Sequence, residues 1–230
     1  NGTSADYAVT DTYGRNAVWG DYVAVYHAQD TSSPILDSTG NGNDAAKNGT
    51  PDYSQSGQIG DAINYDDSSD ESHVKNNSTG DHTNAVTLQG WFNTDAAGTE
   101  SILYYGDGEA NGGSMSINGR DENGILTVSG KVWVLSQNTS NFASAQSATS
   151  ISTNTWYMAH GVFASATSRK IYLDGALETT DTTNVPLSET TSNIAIATRF
   201  ATSQYFSGKL DESRVRNSVL SDNCITTEYN

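Results

Sequence analysis

Residues Thr155–Thr180 read T-W-Y-M-A-H-G-V-F-A-S-A-T-S-R-K-I-Y-L-D-G-A-L-E-T-T. Trp156–Phe163 and Lys170–Leu173 carry the aromatic and β-branched side chains that suit a pleated, half-buried surface, and both are expected to be strands. Asp174-Gly175 accepts positive φ at both central positions of a type I′ turn, whose twist matches that of the strands it joins. The stretch is therefore a hairpin. Side chains alternate along a strand, so Tyr172 on one face puts Ile171 and Leu173 on the other. That apolar face needs cover, and a second sheet is expected to supply it.

The remaining composition bounds what such a sandwich does. At 230 residues the chain is long enough for one large β domain with a continuous core. Its 27 acidic and 11 basic residues give a net charge of -16, which repels nucleic acid and anionic membranes and favours solubility and cation association. No apolar run approaches the ~20 residues of a membrane helix, so neither nucleic acid nor membrane insertion is expected. Cys224 is the only cysteine, which excludes an intrachain disulfide, a cysteine zinc site and a redox pair. Secretion remains compatible, because a large β core does not need disulfides. Low lysine with abundant Asp, Thr, Ser and Asn suits a saline extracellular setting. The chain opens on Asn1 rather than Met, so a processed or excised segment of a longer protein is the expectation. Asn1, Asn48, Asn76, Asn77 and Asn138 open N-x-Ser/Thr sequons, which a chain this rich in those residues makes by chance.

In chain order, Asn1–Gly14 is polar and irregular. Tyr22–Ala28 is the first strand, and its continuous apolar run predicts cover on both faces or a place near a sheet junction. His27 is expected to complete core packing, since no nucleophile accompanies it. Asp30–Gly49 is a loop punctuated by Pro34 and glycines. At its centre, Asp37-Ser-Thr-Gly-Asn-Gly-Asn-Asp44 sets oxygen-bearing side chains between glycines. It is either a wrap for a hard cation or a turn in which Asx side chains bond their own backbone.

Further on, Gly57–Tyr65 reads as a strand with Ile59, Ala62 and Ile63 as apolar contacts, followed by a polar loop over Asp66–Asp81. Ala85–Asn93 alternates around Gly90, where a bulge or a close backbone approach is expected to shift the register. Ser101–Tyr105, Ser114–Asn118, Gly124–Val128 and Lys131–Ser136 are short strands, with turns at Gly106–Gly108, Asn111–Gly113 and Ser129-Gly130. Gln137–Thr153 is a polar loop with a strand near Ala148–Ile151. Ser192–Thr198 and Phe206–Arg216 are strands, the latter with a bulge near Asp211. Ser221 caps a short helical turn through Ile225.

Seven motifs in order carry a resemblance: V-W-G-D-Y-V-A-V-Y-H at Val18–His27, D-S-T-G-N-G-N-D at Asp37–Asp44, I-G-D-A-I-N-Y at Ile59–Tyr65, V-T-L-Q-G-W-F at Val86–Phe92, N-T-W-Y at Asn154–Tyr157, I-Y-L-D-G at Ile171–Gly175 and F-S-G-K-L-D-E-S-R-V-R-N-S-V-L-S at Phe206–Ser221. Together they resemble the concanavalin A-like, laminin G-type superfamily. The resemblance implies an all-β jelly-roll sandwich of two antiparallel sheets over 18–230, preceded by a lead-in over 1–17. That lead-in is similar to the tail of a bacterial and archaeal domain that precedes such modules in large surface proteins.

The resemblance also implies a non-catalytic carbohydrate-binding or adhesive module, extracellular, cell-surface or on a virion, that meets a glycan or cell-surface polysaccharide. The alternative is a structural subunit of an extracellular filament, adhesin or virion, whose partners are other protein copies. Many relatives hold Ca2+ at the sandwich rim. If first and last strands are neighbours, Asp30, Asp37, Asn41, Asn43, Asp44 and Asp211 are the candidate ligands. Each is alternatively an acceptor for backbone N–H groups.

For a sugar, Tyr104, Tyr105, Asp107, Trp133 and Tyr205 offer aromatic platforms and a carboxylate near loops; core or edge packing is the competing reading of each. Hydrolysis, the second alternative, needs same-face carboxylates, and no E-x-D-x-x-E array occurs. Asp174 and Glu178 flank a turn, and Asp211 and Glu212 point oppositely on a regular strand. Gln204–Gly208 resembles a polysaccharide-lyase strand only superficially, because the partner Arg-Glu and Gln-His motifs are absent.

Overall fold

The computed structural model describes residues 15–78, 85–96, 98–108, 111–120, 126–139, 141–187, 192–199 and 204–230. The expected irregular stretch Asn1–Gly14, with its sequon at Asn1, lies outside these residues, as do the end of the expected loop Asp66–Asp81 and the start of the expected strand Gly124–Val128. The elements in order are α1 (Arg15–Val18), β1 (Tyr22–Tyr26), β2 (Ala46–Asn48), β3 (Asp52–Ser56), β4 (Asp61–Tyr65), β5 (Ser72–Ser78), β6 (Val86–Thr94), β7 (Glu100–Gly106), β8 (Asn111–Arg120), β9 (Leu126–Asn138), β10 (Asn141–Ser150), β11 (Tyr157–Ser165), β12 (Ser168–Leu173), β13 (Ala176–Asp181), β14 (Ser192–Ile196), β15 (Gly208–Arg216) and α2 (Asp222–Tyr229).

They form two antiparallel sheets. One runs β13-β12-β11-β6-β15-β4-β3, with β1 also on β15, and the other runs β10-β9-β8-β7-β14-β5-β2. The all-β, two-sheet sandwich expected from the sequence is the observed fold.

The β12–β13 hairpin turns at Asp174 (φ 48) and Gly175 (φ 77), the paired positive angles of a type I′ turn. Ile171 and Leu173 enter the main core, while Tyr172 packs on the opposite face with Val162, Leu220 and Ile225. The main core takes Leu88, Phe92, Ala159 and Leu210 from one sheet and Leu103, Met115, Val134 and Ile194 from the other. Helix α2, capped by the Ser221 hydroxyl on the Cys224 N–H (3.3 Å), buries Ile225 against the outer face of the eight-stranded sheet.

Strand β15 organises its sheet. β6 lines one edge along most of its length. On the other edge β4 pairs with Gly208–Leu210 and β1 with Ser213–Arg216. First and last strands are therefore neighbours. The register slips between Asp211 and Arg214, where Glu212 is left-handed (φ 52), so the bulge expected near Asp211 is present. β6 pairs with β11 without a slip, and Val86, Leu88 and Phe92 share the core face, so Gly90 makes no bulge.

Other expectations are corrected. Gln58–Gly60 is a turn joining β3 to β4, and Ile59 is half exposed rather than an apolar contact. Asn111–Gly113 lies within β8, and Ser129-Gly130 lies within the long β9, where Gly130 (φ 61) absorbs a kink. The polar stretch Gln137–Thr153 holds a ten-residue strand, β10, and Asp66–Asp81 holds β5. Both were masked by Ser, Asn and small residues that lack strand propensity and follow where β9 and β14 lead.

Glu100 ties one end of the sandwich together. Its buried carboxylate accepts hydrogen bonds from Thr94 Oγ1 (3.0 Å), Gly98 N (3.2 Å) and Ser207 N (3.4 Å). Burial outweighs these donors and pushes its carboxyl from 4.5 to about 7. The folded state therefore keeps a proton that the unfolded chain releases above 4.5. Glu100's contribution to stability is complete below that value and is lost as pH rises through about 7. Urea unfolding of the native chain and of Glu100→Gln, compared at about pH 5 and about pH 8, is expected to show a decline about 2.5 kcal/mol larger in the former, on top of the decline from Asp211, raised to about 6, that both chains share.

Candidate functional site

The loop 37–44 folds back on the free edge of β1. The Asp37 carboxylate, 3% exposed, accepts from Val25 N (3.1 Å) and Thr39 N (2.9 Å) at Oδ1 and from Thr39 Oγ1 (2.6 Å) and Asn43 N (3.0 Å) at Oδ2. Asp44 accepts from Asp37 N (2.9 Å), and Asn43 Nδ2 donates to Val23 O (2.7 Å). Asn41 Nδ2 donates to the carbonyls of Tyr22 (2.9 Å) and Val23 (3.1 Å). A segment with no regular structure thus satisfies the edge groups of the first strand.

The other two candidate metal ligands have backbone partners of their own. Asp30 accepts from Leu36 N (3.1 Å). Asp211 is buried and grips the β3–β4 turn through Gln58 N (3.0 Å) and Ile59 N (2.8 Å); burial, partly offset by those N–H groups, raises its carboxyl to about 6. Among the described residues no three His, Cys, Asp or Glu side chains assemble in a group suited to a metal. A calcium ion needs lone pairs facing it, and both Asp37 oxygens already face donors. Asp37, as folded, has no oxygen left to give such an ion.

The five candidate sugar contacts are placed on the seven-stranded sheet and its rim. Tyr105 faces the core. Tyr104 and Trp133 face outward but are 2% and 5% exposed, so neither is a platform. Tyr104 lies in a cross-strand row with Ala195, Ser114, Leu135 and Ser144. Its hydroxyl donates to the carbonyls of Gly108 and Asn111, and Gly106 and Gly112 flank its ring because any Cβ there would collide with it. Asp107 accepts from Asn111 Nδ2 (3.0 Å), which ties up a rim carboxylate. Tyr205, half-buried, precedes β15. These residues do not converge on one site.

An open hollow of about 490 Å³ lies where β1 begins and β15 ends. Gly20, Asp21, Tyr22, Val23, Asn41, Asn217 and Ser218 line it. Arg216 stands 5.2 Å from the centre of the Tyr22 ring, donating to Asp21 Oδ2 (2.8 Å) and Ser218 Oγ (2.7 Å). Beside it, His27 Nδ1 lies 2.8 Å from Glu212, which also accepts from Arg214 (2.5 Å) beneath the Trp19 ring. His27 is thus a partly exposed hydrogen-bond partner of Glu212, not a core residue. Burial alone would raise the Glu212 carboxyl, but hydrogen bonds from His27 and Arg214 outweigh it and hold it below its ordinary value.

Sequence reading passed over this hollow although G-D-Y and R-N-S stand in two of the quoted motifs. Its lining comes from three segments far apart in the chain, and only the pairing of β1 with β15 joins them. Of the candidate ligands, Asn41 alone reaches it.

A model of the Laminin_G_3 family, described as the concanavalin A-like lectin/glucanases superfamily, matches residues 66–226, more than half of the chain. No curated protein matches it. Domain 4 of AbnA, a GH43 extracellular arabinanase from Geobacillus stearothermophilus, in complex with arabinotriose, superposes with TM-score 0.73 at 18% identity, covering 91% of this chain and 98% of that one. The botulinum neurotoxin serotype D binding domain gives 0.67 at 13% over 91% of this chain and 51% of that one. The binding domain of Paraclostridial Mosquitocidal Protein 1 gives 0.64 at 14% over 92% and 52%. The chain spans about half of the two toxin domains. Likeness at these identities shows the fold.

Asp37→Ala removes the acceptor of three buried N–H groups, so a loss of about 3 kcal/mol is expected in denaturant unfolding. The melting midpoint of the native chain is expected to be the same in excess calcium and in chelator, since only a ligand bound by the folded state raises it. A calcium-dependent rise would show that the loop reorganises around an ion.

Proposed function

Because the chain belongs to the concanavalin A-like lectin/glucanases superfamily, we propose that it is a non-catalytic extracellular binding module that takes carbohydrate in the hollow between β1 and β15. The observation that carries this reading is the lining of that hollow. A carboxylate, two amides and a hydroxyl line it, and the Arg216 guanidinium, bonded to Asp21, packs on the Tyr22 ring beside them. Planar polar groups bridge neighbouring sugar hydroxyls, while the Tyr22 ring, 7% exposed, serves as the buried floor under them rather than as a stacking platform. Asn41 spends its Nδ2 on β1, which leaves Oδ1 as an acceptor. Asp21, its side chain 73% exposed, stands at the mouth.

The AbnA domain, similar in fold, is complexed with an oligosaccharide, which supports sugar binding on this scaffold and the extracellular setting. Among the described residues no helix is long and apolar enough to cross a membrane. The non-catalytic reading rests on what the carboxylates do. A retaining hydrolase sets two about 5 Å apart with a free acid and nucleophile. Here Asp21, the one carboxylate of the lining, is paired with Arg216. Asp211 and Glu212 serve separate partners, while Asp174 accepts from Met158 N (2.8 Å) and Glu178 from Thr149 N (2.8 Å).

A glycan array followed by titration calorimetry on the retained sugar tests this. Asp21→Ala and Asn217→Ala are each expected to weaken binding about tenfold, the worth of one hydrogen bond to a charged or well-placed group. Retention of no glycan, or affinity untouched by both substitutions, would overturn the reading.

A further inference from the structure

Helix α2 covers the outer face of the eight-stranded sheet over Val162 and Tyr172, but a polar row crosses the same face further along. The register sets Lys209 of β15 opposite Asn93 of β6 on one side and Asn64 of β4 on the other, and sets Asn64 opposite Asp52 of β3. Opposed residues of an antiparallel pair share a face. Their chain neighbours Phe92, Leu210 and Ile63 enter the core, so the row faces outward. The β11–β6 register, carried one residue past Tyr157 and Phe92, brings Trp156 level with Asn93. Ring, amide, ammonium, amide and carboxylate thus follow one another across the strands, and four spacings of ~4.8 Å give the row a length of about 19 Å.

The row lies at the foot of a step. The next outward residue of β6, Trp91, sits under the exposed ring of Tyr229. The next on β15, Asp211, sits under the β3–β4 turn that it holds through Gln58 N and Ile59 N. Both covers rise along one flank. Trp156, Asn93, Lys209 and Asn64 are half-buried beside them, and among the described residues none of these four side chains has a hydrogen-bond or ion-pair partner. Half-buried polar groups give up part of their hydration, and here no protein group replaces it. A chain with 27 acidic residues has set none of the described ones within ion-pair distance of this ammonium.

We propose that this row is a second carbohydrate-binding site, which takes a neutral oligosaccharide lying across the strands. The order of the groups selects that class. Amides donate to and accept from neighbouring hydroxyls, the ammonium donates to hydroxyl oxygens, and Trp156 offers a partly exposed ring to the apolar face of a sugar. The hollow between β1 and β15 has no such ring, since Tyr22 is its buried floor. Asp52, exposed at the far end, accepts from a hydroxyl and repels an acidic sugar, as does the net charge of -16. The site presupposes the carbohydrate reading of the module but not the hollow, because the row crosses β15 near its first residue and the hollow stands beyond its last.

Titration calorimetry of the whole chain with neutral linear arabino-, gluco- and manno-oligosaccharides of two to six residues, and with oligogalacturonates as acidic probes, tests the proposal. The native chain is expected to bind two molecules of at least one neutral series, with affinity at the row rising with chain length until the row is spanned. Trp156→Ala and Asn93→Ala are each expected to weaken one of the two sites about tenfold. Lys209→Met, which removes the ammonium and keeps a long unbranched stem, is expected to do the same with the least disturbance of the fold. Asp21→Ala is expected to weaken the other site alone. A single site that Lys209→Met weakens and Asp21→Ala spares upholds the row and overturns the hollow. A single site that Asp21→Ala weakens and Lys209→Met spares, retention of oligogalacturonates in place of the neutral chains, or no binding of any neutral series overturns the proposal.

Discussion

The pairing of β15 with both β1 and β4 along a single edge is the constraint on which the rest of the molecule depends. Two strands fit end to end there because β15 is interrupted at Glu212, whose left-handed backbone separates the Gly208–Leu210 ladder from the Ser213–Arg216 ladder. Such a break costs backbone strain of about 1 kcal/mol or more, and the side chains at the break offset it. Asp211 takes two N–H groups of the β3–β4 turn, and Glu212 takes His27 beyond the end of β1. One carboxylate holds each neighbour in place. Once β1 is fixed, its outer edge needs acceptors and donors, and the Asp37 loop supplies them; the hollow is the space left where that loop, Tyr22 and the tail of β15 fail to meet.

The outer face of the same sheet shows why helix α2 packs there. Tyr172, His160, Gln89 and Arg214 form one cross-strand row across β12, β11, β6 and β15. Polar groups of that size are costly to bury without partners. Helix α2 brings the partners and the apolar cover together. Asp222 accepts from the Tyr172 hydroxyl (2.6 Å), Glu228 lies 3.3 Å from His160 Nε2, and Ile225 fills the space between. Burial would raise the Glu228 carboxyl, but the His160 hydrogen bond and the charge of Arg214 outweigh it and hold it below its ordinary value. Tyr229 then tilts over Trp91, which explains why that tryptophan is buried though it faces away from the core.

How much of this was legible follows from the kind of signal each part carries. The Asp174-Gly175 turn was readable because its requirement is local, two adjacent positive φ values. The Ser221 cap was readable for the same reason. The bulge beside Asp211 showed as a break in alternation. β10 was missed because its strand character comes from its neighbour, not from its own Ser and Ala residues. Tyr104, Tyr105 and Trp133 left two readings open, sugar contact or packing, because composition reports an aromatic near a loop without reporting what lies above it, and their burial favours packing. The Asp37 loop left two readings open, cation wrap or Asx turn, and only the count of donors around one carboxylate favours the second.

The acidic field and the hollow select in the same direction. A polyanionic ligand meets repulsion from the whole surface, and at the mouth it meets Asp21, while the one cation there, Arg216, is already committed to Asp21 and Ser218. Capturing an acidic sugar would require breaking that exposed pair, worth about 1 kcal/mol or less, and leaving a carboxylate beside the ligand. A neutral polyhydroxy ligand meets neither cost, since hydroxyls donate to Asp21 and to Asn41 Oδ1 without displacing the guanidinium. On the carbohydrate reading proposed above, net charge and local pairing thus favour a neutral glycan over an acidic one before any pocket shape is considered.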